Sequence, residues 1–297
     1  MSNSNEMKKE EKKDKTKEKK TEEKKEEKIN DKIEDKIEKN KEKEVIIEFS
    51  NINKSFGNKK ILDNFNLKIY KSDVLGIIGK SGSGKSTLLN ILLGIYKPDS
   101  GKILYKEKEI NYNELKKIIG LTTQENSFYY KLSVYENMVY YANLYDVKKD
   151  NLKSYIMDLL KSVELDNAVN LIAEKLSGGM KRRLDFAISL LHEPEILILD
   201  EPTTGLDPLL VKQFWKIVNN YRKKGKTIIL VSHVFSEIIE NCNEICLLHK
   251  GNYKIMNINN SDYINNTEID KKNIDKKSSE NFNENQLLKE FEDFTKN

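Results

Sequence analysis

The chain has 297 residues, enough for one or two domains with a sizeable core. Its 52 basic and 48 acidic residues nearly cancel to a formal charge of +4, which gives no electrostatic ground for nucleic-acid binding. The first forty residues lack the apolar stretch of a secretory signal, and apolar runs such as Ile196-Leu197-Ile198-Leu199 fall far short of the ~20 residues that cross a membrane. Work at a membrane would need another chain to cross it.

In chain order, residues 1–44 are dominated by Lys and Glu and cannot bury enough surface to offset their ordering entropy. Ile29, Ile33 and Ile37 recur at helical spacing, so a charged helix near the end of this tail is possible. A solvated tail and a docking segment both remain open. Val45-Ile46-Ile47-Glu48-Phe49 reads as the first strand, followed by a second from Ile61 to Ile69. Phe56 lies between them, either as a core aromatic or as a ring that stacks on a base.

The organising stretch follows: Gly79-Lys80-Ser81-Gly82-Ser83-Gly84-Lys85-Ser86-Thr87, preceded by the apolar run Val74 to Ile78 and followed by the helix-patterned Leu88 to Leu93. Strand, glycine-rich loop and helix form the context of a phosphate-binding P-loop. The glycines let backbone N–H groups converge on a phosphate chain, and the helix start adds partial positive charge. Lys85 is expected to reach the β- and γ-phosphates, and the Ser86 hydroxyl to ligate Mg2+.

A turn cluster at Tyr96-Lys97-Pro98-Asp99 leads to a strand at Lys102 to Tyr105, and Ile118 to Thr122 is another short strand ending before Gln124. The spacing then turns helical, so residues 124–175 read as a mostly helical insertion. Leu176-Ser177-Gly178-Gly179-Met180 opens a further helix. Ser177 suits an N-cap, and the start is either a plain capped helix or a second anion site. Lys181, Arg182 and Arg183 just inside it have the look of a solvated basic face.

Ile196 to Leu199 closes on Asp200-Glu201, as buried parallel strands do where α/β sheets place ligands. Asp200 is expected to hold Mg2+ through water, and Glu201, adjacent but pointing to the other side of the strand, to polarise an attacking water. A helix around residues 211–221 with Trp215 on its core face precedes the strand Thr227 to Val231, which ends at Ser232-His233. A hairpin around Gly251 closes the domain. Cys242 and Cys246 do not combine with His192, His233 or His249 into a zinc spacing, and read as small buried residues of a reducing compartment. Residues 257–297 are polar and expected to be weakly ordered, with one short helix around Leu287, Leu288 and Phe291.

Together these motifs resemble the ATP-binding subunits of ABC transporters over residues 45–255. The resemblance rests on Phe56, the loop from Gly79 to Ser86, Gln124, the Leu176-Ser177-Gly178-Gly179-Met180 signature, Asp200-Glu201, Gly205-Leu206-Asp207-Pro208 and Ser232-His233, in family order. It implies an α/β P-loop NTPase fold with a mainly parallel core sheet, an antiparallel β subdomain and a helical signature subdomain at about 124–191. The domain would occupy 45–256, between a charged tail (1–44) and a polar tail (257–297).

It further implies ATP hydrolysis with Mg2+ and head-to-tail pairing with a second ATP-binding subunit, as homodimer or heterodimer. Phe56 would stack on adenine, and Ser177, Gly178 and Gly179 would touch a γ-phosphate held by the partner's P-loop. Gln124 would contact Mg2+ or the water, Asp207 would communicate across the dimer, and His233 would join Glu201 in catalysis. Such a subunit powers a separate multi-span membrane protein from the cytoplasmic face. Met180-Lys181-Arg182-Arg183-Leu184 and Pro202 to Pro208 resemble exporters of the ABC-2 type, whereas importer subunits more often carry glutamine-rich residues at 180–182. An importer subunit and a soluble ATPase of the same family are the alternatives. Thr123 departs from the family, which frequently has proline there.

Overall fold

The computed structural model describes residues 43–258, 263–264 and 283–296. Strands β1 (Val45–Phe56) and β2 (Lys59–Tyr70) form a long hairpin, extended by β4 (Ser100–Tyr105) and β5 (Lys108–Glu109) into an antiparallel sheet of order β2-β1-β4-β5. A second sheet contains β3 (Val74–Gly79), β6 (Ile119–Thr122), β7 (Ile196–Asp200), β8 (Thr227–Val231), β9 (Glu244–His249), β10 (Asn252–Asn257) and β11 (Tyr263–Ile264). Its order is β11-β10-β9-β3-β8-β7-β6; β9, β3, β8, β7 and β6 run parallel, and β10 and β11 add antiparallel edges.

Strand alternation explains why these runs are apolar throughout. Val74, Ile78, Leu197, Leu199, Ile228 and Leu230 point into a core shared with the helices. Their neighbours Leu75, Ile77, Ile196, Ile198, Ile229 and Val231 point into a second core shared with the antiparallel sheet. A sheet covered on both faces needs apolar residues at consecutive positions, and each large side chain so buried contributes about 1.5–3 kcal/mol. Gly76 lies where a Cβ would come within 2.9 Å of both Cys242 Sγ and Ile238 Cδ1, so the glycine permits close helix–sheet packing. Both cysteines are buried free thiols, and burial pushes their pKa values up.

The helices are α1 (Lys85–Leu92), α2 (Tyr112–Ile118), α3 (Val134–Leu144), α4 (Leu152–Ser162), α5 (Gly178–Leu190), α6 (Pro208–Lys223), α7 (Phe235–Asn241) and α8 (Glu284–Lys296). Local chemistry sets several of their starts. Ser133 and Glu136 form a reciprocal capping box on α3, with Glu136 Oε2 2.7 Å from Ser133 N. Asp207 caps α6 just before Pro208, a residue suited to the first helical turn.

The segment before α3 departs from the sequence expectation. Residues 124–133 are irregular, held by the buried Asn137, whose Oδ1 accepts from Tyr129 N at 2.8 Å and whose Nδ2 donates to Tyr129 O and Ser133 O. Past α4, the chain forms two short 3-10 turns at Asp166–Ala168 and Ala173–Lys175.

Near the C-terminus the expected short helix around Leu287, Leu288 and Phe291 forms as α8, and its packing on α7 and β9 goes beyond the weak order expected of this polar segment. Leu287, Phe291 and Phe294 recur at i, i+4 and i+7 and give it an apolar stripe despite its polar composition. Leu287 is fully buried, the Phe291 ring lies 5.3 Å from Phe235, and Glu290 pairs with Lys254 at 2.7 Å. The Lys/Glu-rich tail over 1–42, with Ile29, Ile33 and Ile37, lies outside the described residues, as does the linker 265–282.

Candidate functional site

The parallel register brings the carboxyl ends of β3, β6, β7 and β8 to one edge of the sheet. Thr122 pairs with Leu199 and Asp200 with Val231, so Gln124, Asp200-Glu201 and Ser232-His233 leave adjacent strands at the same level, beside the loop after Gly79. Ligands bind at this edge in open α/β sheets.

The loop itself is tightly constrained. A Cβ on Gly79 would sit 2.2 Å from Ser83 Oγ and 2.6 Å from the Leu248 carbonyl, so only glycine fits. Gly84 caps α1 at φ 111°, a left-handed conformation that glycine adopts without strain. Lys85 folds back over the loop, its Nζ donating to Gly79 O at 2.7 Å and Lys80 O at 3.3 Å. Burial lowers the Lys85 pKa, against the opposing charges of Glu201 and Asp200. Lys59, Lys60, Lys80 and Lys250 line a cavity of about 370 Å3 on the flank of the loop, adding positive charge beside it.

Burial raises the Asp200 pKa and the nearby Glu201 charge adds to the effect, while Lys85 and Arg182 oppose it. Glu201 adopts φ 48°, and its N–H donates to Val231 O at 2.8 Å. That left-handed backbone departs from strand alternation, and both carboxylates bear on Lys85. Glu201 Oε2 lies 3.0 Å from His233 Nδ1 and accepts from Thr204 Oγ1 at 3.1 Å. His233 is open to solvent, with 61% of its side chain exposed.

Phe56 ends β1 at the hairpin tip and is 46% exposed, which removes the core reading. Its ring meets Tyr96 edge-on at 5.5 Å. Gln124 is exposed at the end of β6. Ser177 caps α5, its Oγ accepting from Met180 N at 3.3 Å. Ser177 and Gly178 are exposed, whereas Gly179 packs against Leu210. Among the described residues, no hydrogen bond or ion pair joins this helix start to the loop at 79–87. It lies instead beside the Asp207 turn, where Asp207 Oδ1 accepts from Leu209 N and Leu210 N, both at 3.0 Å.

Two residues escaped the sequence reading. Arg182, expected on a solvated face, is 6% exposed. Its guanidinium donates to the carbonyls of Asp200 at 3.1 Å, Glu201 at 2.9 Å, Pro202 and Thr123. It thereby ties α5 to the segments after β6 and β7. Glu237 on α7 is also buried and accepts three hydrogen bonds from three other elements. A basic or acidic residue within a helix carries no local signal of such partners.

Comparison with known proteins gives the same picture. Residues 62–204 match the family model described as ABC transporter. The lantibiotic transport ATP-binding protein SrtF of Streptococcus pyogenes is 37% identical over 206 residues, covering 69% of this chain and 88% of that protein. The bacitracin transport ATP-binding protein BcrA of Bacillus licheniformis is 35% identical over 69% of this chain and 67% of its own length. For the Nod factor export ATP-binding protein I of Rhizobium etli the identity is 33%, over 69% and 66%. Among solved structures, cbiO1 of Clostridium perfringens, part of the ABC transporter complex cbiONQ, superposes with a TM-score of 0.65 at 30% identity, over 71% of this chain and 87% of its own. Strand-end carboxylates, a lysine-bearing glycine loop and these relatives agree: the chain belongs to the ABC transporter family, as one of its ATP-binding, ATP-hydrolysing subunits.

Proposed function

We propose that this chain powers a separate membrane-spanning exporter by ATP-driven, head-to-tail pairing with a second ATP-binding subunit. The observation that carries the reading is the cluster of Lys85, Asp200, Glu201 and His233 at one sheet edge, with a second helix start exposed at Ser177 and Gly178 and, among the described residues, no hydrogen bond or ion pair between it and the loop at 79–87. A site that needs an anion-binding helix but does not supply it from the same chain calls for a partner. Relatives named for lantibiotic, Nod factor and bacitracin transport favour export.

In this reading Gly79 to Thr87 cradle the phosphates of ATP and Lys85 neutralises their charge. Phe56 stacks on adenine, Glu201 polarises the attacking water, and His233 holds Glu201 in place. Hard oxygen donors from Ser86 and Asp200 suit Mg2+, and Gln124 would contact it or the water. Bound Mg2+ neutralises charge on the phosphate oxygens. Ser177, Gly178 and Gly179 face the nucleotide of the partner subunit, with Asp207 beside them at the same interface.

Among the described residues no helix is long and apolar enough to cross a membrane. As an ATP-binding subunit of a transporter, the chain in this reading works at the cytoplasmic face of the membrane, held there by a multi-span partner. A cluster of exposed apolar side chains that begins five residues past Gln124, with Tyr129, Tyr140, Leu144 and Tyr145, offers that partner a surface.

Glu201→Gln tests the assignment. The variant is expected to bind ATP as the parent does and to elute as an ATP-dependent dimer, with turnover reduced about 100-fold or more. Wild-type turnover would remove Glu201 as the base, and an ATP-loaded monomer would remove the pairing.

A further inference from the structure

Glu237 is a buried carboxylate that the scheme above does not use. It is 5% exposed and lies in the first turn of α7. Its Oε1 accepts from Thr203 Oγ1 at 2.7 Å and from Trp215 Nε1 at 2.9 Å, and its Oε2 accepts from Ser232 Oγ. Ser232 Oγ in turn accepts from Val234 N at 3.1 Å. Three donors satisfy a carboxylate that would otherwise be costly to bury, and charge-assisted bonds of this kind are short and directional.

The partners matter by position. Thr203 lies two residues past Glu201, and Ser232 lies one residue before His233. A single side chain therefore grips the neighbours of both members of the Glu201–His233 contact, which spans 3.0 Å. From the other side, Arg182 holds the carbonyls of Glu201 and Pro202. We infer that Glu237 is a positioning residue for hydrolysis: by bonding Thr203 and Ser232 at once, it sets the separation of the Glu201 carboxylate and the His233 ring. The inference rests on the roles proposed above for those two residues. An ion pair on the surface would tolerate drift of either partner, whereas a buried three-donor hub fixes both backbones together.

The test is Glu237→Gln in the full chain, because glutamine keeps the shape but turns one acceptor into an amide donor facing an O–H or N–H. ATP affinity is expected to stay within about twofold and kcat to fall about tenfold or more. In a His233→Ala background the same change should cost less than about twofold, because the step it supports is already lost. Equal losses in both backgrounds, or a loss confined to ATP affinity, would overturn the inference in favour of a merely structural role. If Glu237→Gln does not fold, Thr203→Val removes one hydroxyl at nearly constant volume and should reproduce the same split between binding and turnover. Unchanged kcat in that variant would overturn it equally. Glu201→Gln, measured alongside, separates the two failures: if it retains turnover, the assigned roles are wrong, and if it alone abolishes turnover, only the hub is wrong.

Discussion

Replacing Arg182 by methionine keeps most of the aliphatic volume and removes the guanidinium from four backbone carbonyls, those of Thr123, Asp200, Glu201 and Pro202. Hydrogen bonds from a charged donor are worth about 1.5–3 kcal/mol each, so a naive sum would reach about 6–12 kcal/mol. Much of that is offset, because burying the guanidinium is itself costly, as its lowered pKa reflects. Removing one partner of such a buried network typically costs about 3–5 kcal/mol, and Asp185 would lose a cation 3.7 Å away. For a domain of this size each kcal/mol moves Tm by about 2–4 °C, giving a drop near 10 °C.

Thermal denaturation with and without ATP measures the stability loss, and steady-state hydrolysis well below the transition measures the functional one. Turnover should fall about tenfold, since the Asp200-Glu201 backbone loses its anchor. Arg182→Lys should recover little, because one ammonium cannot reproduce the fork that spans four carbonyls. A Tm shift under about 2 °C, the range of ordinary surface substitutions, would refute the clamp.

Other expectations follow from the same geometry. Lys85→Ala should weaken ATP binding at least about tenfold in equilibrium titration, and unchanged affinity would dismiss the phosphate cradle. Because burial depresses the Lys85 pKa, its ammonium is present at low pH and lost as pH rises through that lowered value. ATP affinity of the parent should accordingly decline at an alkaline pH below the ordinary lysine value of 10.5, and Lys85→Arg should remove that decline. Phe56→Ala should cost about 1–3 kcal/mol of ATP affinity, with Phe56→Tyr near neutral, as read by calorimetry; equal affinity for all three would exclude stacking. Leu287→Ala, at a fully buried position on α8, should destabilise the chain by about 2–5 kcal/mol and expose residues 284–296 to hydrogen exchange. Unchanged protection there would mean that the helix is not docked.

The amino-acid sequence by itself determined the elements whose signal is local. Consecutive apolar residues at Val74 to Ile78, Ile196 to Leu199 and Thr227 to Val231 can only be satisfied by a sheet covered on both faces, and the glycines of 79–84 only by a loop that a side chain would block. The strand-end Asp200-Glu201 and Ser232-His233 pairs were legible for the same reason, since their meaning comes from the runs they terminate. What the sequence could not carry was convergence. Arg182 looks like a solvated arginine because its partners are carbonyls, which every residue has and no pattern marks. Glu237 looks like an ordinary helix glutamate because Thr203 and Trp215 lie 34 and 22 positions away and meet it only through the crossing of β7, β8, α6 and α7. The stripe of Leu287, Phe291 and Phe294 was diluted by charged neighbours, and only the apolar face left by α7 and β9 decides that it docks. Local periodicity records which face of an element is apolar, and tertiary packing alone decides which side chains from distant elements share one buried volume.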